Sequence, residues 1–393
     1  MNMNEEKRLN FRNCLIQFVF YLAGAASFAY SATYLSYLGY SASFIGILMA
    51  VGNIMCTVLL PVLGNYIDQR KQTAHRYICY ICLICCLLAL AMLLLPKISA
   101  VVIVGTVVIF GCCYAMMSLL NTLSFSFKKQ GIVLNFGLAR GIGSLSYATN
   151  SLLIGYALKA VVPTRLLPIL FMLSYGLLIP LVATFHTDRP VIEDQGKQPE
   201  PVSTAQFLNL HRSFLLFMLA TMILFFNHQV INNFMIQFMR NIGGDSSSVG
   251  VATFIAAGLE LISMLSMNRL KEKIDIRILL TISGIFFTLK VFLSYLAPNV
   301  GMFYLAQTLQ MFAYGINYPA AVYYADASFN QADAIKANAL ITSSQTLGGV
   351  LASVIGGLSI DLLGEKKTLL IVTVISAFGS IFMYLSTMRK RKA

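Results

Sequence analysis

Residues 188–206 read DRPVIEDQGKQPEPVSTAQ, the longest hydrophilic interruption in a chain of 393 residues. Prolines at 190, 199 and 201, set among acids, amides and serine, cannot build a core, so the stretch reads as a flexible linker. On both sides the sequence changes character. Apolar residues fall in blocks of about 20, long enough to cross ~30 Å of hydrocarbon as helices. Twelve blocks can be placed, near 13–36, 43–66, 76–96, 99–122, 132–160, 166–186, 211–238, 247–268, 276–296, 300–324, 338–361 and 367–387. Six precede the linker and six follow it. The expected fold is therefore an all-α membrane protein of 12 transmembrane helices in two six-helix bundles, 1–187 and 211–393, joined by a cytoplasmic linker at 188–210. Paired bundles about a central linker are a recurrent transporter architecture.

Composition agrees. Hydrophobic residues make up 58% of the chain, charged residues 11%, and the mean hydropathy is +0.76. A soluble domain of this size carries far more surface charge. The net charge of +13 invites a nucleic-acid reading, but its distribution argues against one. Of 28 Lys and Arg, 20 lie in the termini and in one alternate set of loops. Six occupy the opposite set (Lys97, Lys159, Arg165, Arg240, Lys366 and Lys367), and Arg140 and Lys290 lie within spans. That asymmetry is a topology signal: a multi-pass protein of the cytoplasmic membrane, with both termini cytoplasmic and the bilayer, not nucleic acid, as its partner. Of the eight cysteines, Cys79, Cys82, Cys85 and Cys86 share one apolar helix and Cys112 and Cys113 adjoin on another, which suits core packing better than a disulfide framework. The opening MNMNEEKRLNFR is too polar for a signal-peptide core, so no cleavage before the first span is expected.

Charge at membrane depth costs at least ~2.5 kcal/mol unless it meets water or a partner. Arg140, Glu260 and Lys290 sit at such depth. An ion pair between Glu260 and Lys290 is one reading, and a water-accessible cavity between the halves is the other. Helical spacing favours the cavity. In LARGIGSLSYATN (138–150), Arg140, Ser144 and Tyr147 follow i, i+4, i+7 and share a face. There a guanidinium donates paired hydrogen bonds beside a stacking ring. Gln310, Tyr314 and Asn317 repeat that spacing in QMFAYGIN, His228 and Asn232 stand i, i+4, as do Gln229 and Asn233, and Asn121 ends the fourth span. Glycines in GGVLASVIGG (348–357) and GIGSL (141–145) permit close helix approach.

After the second span comes GNYIDQR at 64–70, which resembles the cytoplasmic glycine-to-aspartate loop of the major facilitator superfamily. The resemblance implies a gating role for Gly64, Asp68 and Arg70, with Asp68 as an interhelical lock. Within the superfamily, the chain is similar to the branch of the lactose/proton permease and the phenylpropionate permease-like proteins. NFGLARGIGSLSY resembles the stretch bearing the permease's sugar-binding arginine and stacking tryptophan, which places Arg140 and Tyr147 in those roles. SGIFFTLKVF resembles a ninth-span segment with a functional arginine, here Lys290, and GLELISM resembles a glutamate-bearing eighth-span motif, here Glu260. QTLQMFAYG resembles the segment whose histidine and glutamate couple protons, but Gln310 and Ala313 stand in their places. Asn121 or Thr122 replaces the sugar-gripping acid of the fourth span.

These readings give one principal expectation: a secondary active transporter that moves a small polar, organic-acid or sugar-like solute across the inner membrane by alternating access and proton symport. Arg140, Ser144, Tyr147, Asn121, Lys290, Gln310, Tyr314 and Asn317 bind the solute, and Glu260 and His228 handle the proton. Two alternatives stay open: multidrug or metabolite efflux by proton antiport, and a non-transporting membrane receptor or assembly factor on the same fold. No G-x-x-x-x-G-K-[ST] loop supports an ATP-driven pump, and no repeated filter stretch supports a channel. No enzyme activity, cofactor or metal is expected, and a monomer is.

Overall fold

The computed structural model describes residues 3–69, 74–96, 99–187 and 203–388. The described residues form helices and their connections, without strands. Along the chain run α1 (Met3–Gly24, continued by a π-helical turn Ala25–Ala29 and by Ser31–Tyr37), α2 (Ala42–Gln69), α3 (Ala74–Leu94), α4 (Ser99–Ser126), α5 (Phe136–Ala157) and α6 (Pro163–Ala183). After the linker come α7 (Arg212–Asn233, followed by Met235–Asn241), α8 (Ser246–Lys273), α9 (Ile276–Leu296), α10 (Val300–Thr308 and Tyr314–Ser328 about a 3-10 turn at Leu309–Met311), α11 (Gln331–Leu363) and α12 (Glu365–Met388). Of the linker expected at 188–210, residues 188–202 lie outside the described set, and Thr204–Leu210 is a short helix.

Local chemistry sets the helix ends. Asn135, Asp275, Asn299 and Asn330 each accept a backbone N–H from the first turn of α5, α9, α10 and α11. Asp245 and Ser248 close a reciprocal capping box on α8. Pro163 opens α6, where its missing N–H costs nothing, and Gly364 ends α11 at φ 82°, a conformation that favours glycine.

Two compact units emerge: Met1–Tyr40 with Ile47–Gly196, and Ser41–Gly46 with Lys197–Ala393. In the first, α1 packs chiefly on α5 and α3 on α6; in the second, α7 packs on α11 and α9 on α12. The pairing inside each unit is the same, displaced by six helices. Small residues make these crossings close. A β-carbon at Gly111 of α4 would sit 2.6 Å from the Gly52 carbonyl oxygen of α2, and one at Gly348 of α11 would strike the Met222 carbonyl of α7. Large apolar side chains such as Leu153, Leu265 and Leu362 point outward, a surface suited to lipid.

Nine described helices are long and apolar enough to cross a bilayer, and a tenth counts when the two legs of α1 form one span. The two that fall short are informative. α5 has the length, 22 residues, but carries Arg140, Ser144, Ser146, Thr149, Asn150 and Ser151. α10 is interrupted, and its longer piece has only 15 residues. The span expected to run unbroken over 300–324 is thus two pieces, and both deviant helices bear candidate site residues.

Candidate functional site

In the first unit, Arg140 reaches forward along α5 and donates from Nη1 to the Ser144 Oγ at 3.3 Å. Its guanidinium carbon lies 4.9 Å from the centroid of the Tyr21 ring on α1, a cation–π contact. Tyr21 in turn meets Tyr147 edge-on, with centroids 6.4 Å apart. Gly143 makes room for this ring, since a β-carbon there would lie 2.6 Å from it. Asn121 accepts from the Gln17 amide at 3.5 Å, and Ser124 donates to Asn13 at 2.8 Å. Arg140, Ser144, Tyr147 and Asn121 are all half-buried. Cation, rings, hydroxyl and amides thus form one wall along α1, α4 and α5.

The sequence reading did not single out Gln17 or Tyr21. A signal existed: Asn13, Gln17 and Tyr21 stand i, i+4, i+8 and line one face of α1. Gly64 and Asp68 fall in the last turns of α2, and Arg70 lies outside the described residues.

The second unit holds a longer polar array. Lys290 of α9 is 1% exposed and donates from Nζ to Gln310 Oε1 at 2.7 Å. Gln310, also buried, donates from Nε2 to Glu260 Oε2 of α8 at 3.2 Å. Glu260 itself is half-buried. One neutral amide therefore joins a buried cation to a more accessible anion, accepting from the first and donating to the second. Where the sequence suggested a direct ion pair between Glu260 and Lys290, the structure puts this amide between them.

One turn away lies an aromatic layer. The His228 ring of α7 stacks on Tyr314 with centroids 4.8 Å apart and planes at 21°, and Tyr314 stacks on Tyr318 at 5.6 Å and 20°. Asn232 Nδ2 lies 2.9 Å from His228 Nε2, a contact in which the amide donates. Phe287, one turn before Lys290, meets His228 edge-on at 6.1 Å.

The break in α10 separates residues whose i, i+4, i+7 spacing supposes one continuous helix. Gln310 faces Lys290 and Glu260, and Tyr314 faces His228. Asn317, fully buried, donates to Ser283 Oγ of α9 at 2.8 Å. Likewise Asn233 donates to Ser353 of α11 at 2.9 Å. Among the described residues, no cluster of three His, Cys, Asp or Glu is placed to hold a metal.

Comparison with known proteins places the fold. Two structures of the nucleoside transporter NupG superpose on the chain at 14% identity. A point-mutant form gives a TM-score of 0.82, covering 96% of this chain and 99% of that one. The unmutated form gives 0.77, with 100% of both chains covered. A bacterial homolog of the human lysosomal transporter Spinster, inward-facing and unoccupied, gives 0.69 at 10% identity, over 99% of this chain and 98% of that one. No curated protein sequence matches the chain. The profile of the MFS_1 like family matches residues 13–371, nearly the whole length. The chain is a multi-pass membrane protein of the major facilitator type, and it belongs to the MFS_1-like family of transporters.

Proposed function

We propose that the protein is a proton-coupled symporter that carries a small polar, organic-acid or sugar-like solute across the cytoplasmic membrane by alternating access. Both termini lie in the cytoplasm on this reading, as the loop charges favour. The observation that carries it is the Lys290–Gln310–Glu260 chain at the break of α10. Discontinuous helices with polar side chains at membrane depth are where transporters bind solutes and ions. Gln310 does not titrate, so Glu260, the half-buried end of the chain, is the group that takes the proton. His228, stacked on Tyr314 and held by Asn232, is the second proton site. Arg140, Ser144, Tyr147 and Asn121 bind the solute from the first unit; Lys290, Gln310, Tyr314 and Asn317 do so from the second.

Rings stacked beside amides suit a solute with a flat face and hydrogen-bonding edges. Nucleosides therefore lead the candidates, supported by the fold shared with a nucleoside transporter. A thermal-shift panel of uridine, adenosine, lactose, an aromatic acid and a cationic drug identifies the class. The compound that stabilises the protein is then tested in proteoliposomes under an imposed proton gradient. Wild type accumulates it against its gradient. Glu260→Gln loses accumulation and keeps exchange of labelled for unlabelled solute. Uphill uptake by Glu260→Gln overturns the coupling assignment, and a gradient that drives the compound outward favours antiport efflux.

A further inference from the structure

The interruption of α10 falls in LQMFA at 309–313, which contains neither glycine nor proline, although Pro319 follows inside the resumed helix. The nearest glycine is Gly315, second residue of the resumed helix. A β-carbon there would overlap the Ser263 hydroxyl of α8 and lie 3.3 Å from the Glu260 Cα. Ser263 is buried, and its hydroxyl folds back to donate to the Glu260 carbonyl oxygen at 3.0 Å. α8 and α10 therefore touch through a missing side chain, one turn from the Glu260 carboxylate. On the other side of the break, Gln310 reaches that carboxylate with a bond of 3.2 Å.

That bond has little slack. Non-bonded atoms settle about 3.5–4.0 Å apart, so with the Ser263 hydroxyl held by its bond to the Glu260 carbonyl a methyl at Gly315 forces the seam open by on the order of an ångström. A retreat of about half that carries the Gln310–Glu260 contact beyond hydrogen-bonding distance. We propose that Gly315 and Ser263 form a positioning seam that fixes Gln310 against Glu260, and that proton capture by Glu260 depends on it. This rests on Glu260 being the proton site.

The test needs no solute. Difference infrared spectra of the purified, full-length protein, recorded against pH, report the C=O band of the protonated carboxyl that Glu260→Gln removes. In Gly315→Ala that band moves to higher wavenumber, as a carbonyl does on losing a hydrogen-bond donor. Ser263→Ala alone leaves it in place. Gly315→Ala combined with Ser263→Ala moves it back, because the nearest remaining atom of residue 263 is then its β-carbon, at 3.2 Å. A general loosening of the bundle would not be reversed by deleting a second group. If Gly315→Ala does not fold, Ser263→Cys swells the same seam with a sulfur and gives a smaller shift in the same direction. An unmoved band in the folded Gly315→Ala or Ser263→Cys protein overturns the seam, as does failure of the double variant to restore the band. Loss of no band in Glu260→Gln overturns the proton site instead, and so tells the two failures apart.

Discussion

Removing the two ends of the Lys290–Gln310–Glu260 chain is expected to have unequal effects, because the ends are unequally buried. Glu260→Gln leaves Lys290, 1% exposed, facing only a neutral amide oxygen. Stranding one partner of a buried pair costs about 3 kcal/mol or more. Lys290→Met leaves Glu260, which is half-buried and still accepts from Gln310, so the loss is that of one assisted hydrogen bond, about 1 kcal/mol. With both changed, no charge remains to strand, and stability returns to within about 1 kcal/mol of wild type. A coupling of about 3 kcal/mol follows between two residues that do not bond each other directly. The second unit has the size at which 1 kcal/mol shifts Tm by about 2–4 °C, so Glu260→Gln drops Tm by about 6–12 °C and Lys290→Met by about 2–4 °C. The chain lacks tryptophan, and all eight cysteines fall in the first unit, so thermal unfolding is best followed by circular dichroism. Equal shifts from the two single changes, or shifts that simply add in the double, refute the bridge.

Other outcomes follow from single contacts. Arg140→Lys keeps the charge but loses the planar contact with Tyr21, so affinity for the solute found in the panel falls roughly fivefold, about 1 kcal/mol, in isothermal titration. Gly348→Ala drives a methyl into the Met222 carbonyl and costs about 2 kcal/mol, read as a lower Tm. Ser144→Cys, in a protein stripped of native cysteines, is labelled by impermeant thiol reagents from opposite faces of the membrane depending on bound solute. Labelling from one face under every condition would favour a receptor over a carrier.

Much of the architecture is legible in composition and periodicity, because burying backbone polar groups in lipid leaves few solutions beyond helices. The apolar blocks place most helix ends to within a few residues, although α1 begins ten residues and α11 seven residues before the expected spans. The misread span is α10. Its break lies beside the Gly315–Ser263 approach, a contact between residues 52 apart that no local propensity reports. The polar array followed the same logic. Arg140, Glu260 and Lys290 stand out because charge is expensive at depth, whereas Tyr21 is one of 19 tyrosines and becomes visible only once α1 lies against α5. The amide between Lys290 and Glu260 was hidden because pairing across three helices depends on rotations that sequence spacing does not fix.

Positions 310 and 313 offer a polar side chain very different surroundings. Ala313 is fully buried in the apolar core of the second unit, so a carboxyl there would meet no partner. Position 310 is different, because it must accept from Lys290 and donate to Glu260 at once. An amide does both, and so does a neutral imidazole, which has one acceptor nitrogen and one N–H. A carboxylate can only accept, and leucine can do neither. Gln310→His is therefore expected to retain proton-driven accumulation within about threefold, less than 1 kcal/mol of the coupling. Gln310→Glu pairs directly with Lys290, turns an anion toward Glu260, and loses accumulation although the protein remains folded; Gln310→Leu loses both accumulation and several degrees of Tm. Reconstituted uptake, normalised to exchange, ranks the four proteins. If histidine proves as damaging as leucine, the paired roles of acceptor and donor are not what position 310 supplies, and the chain from Lys290 to Glu260 is packing alone.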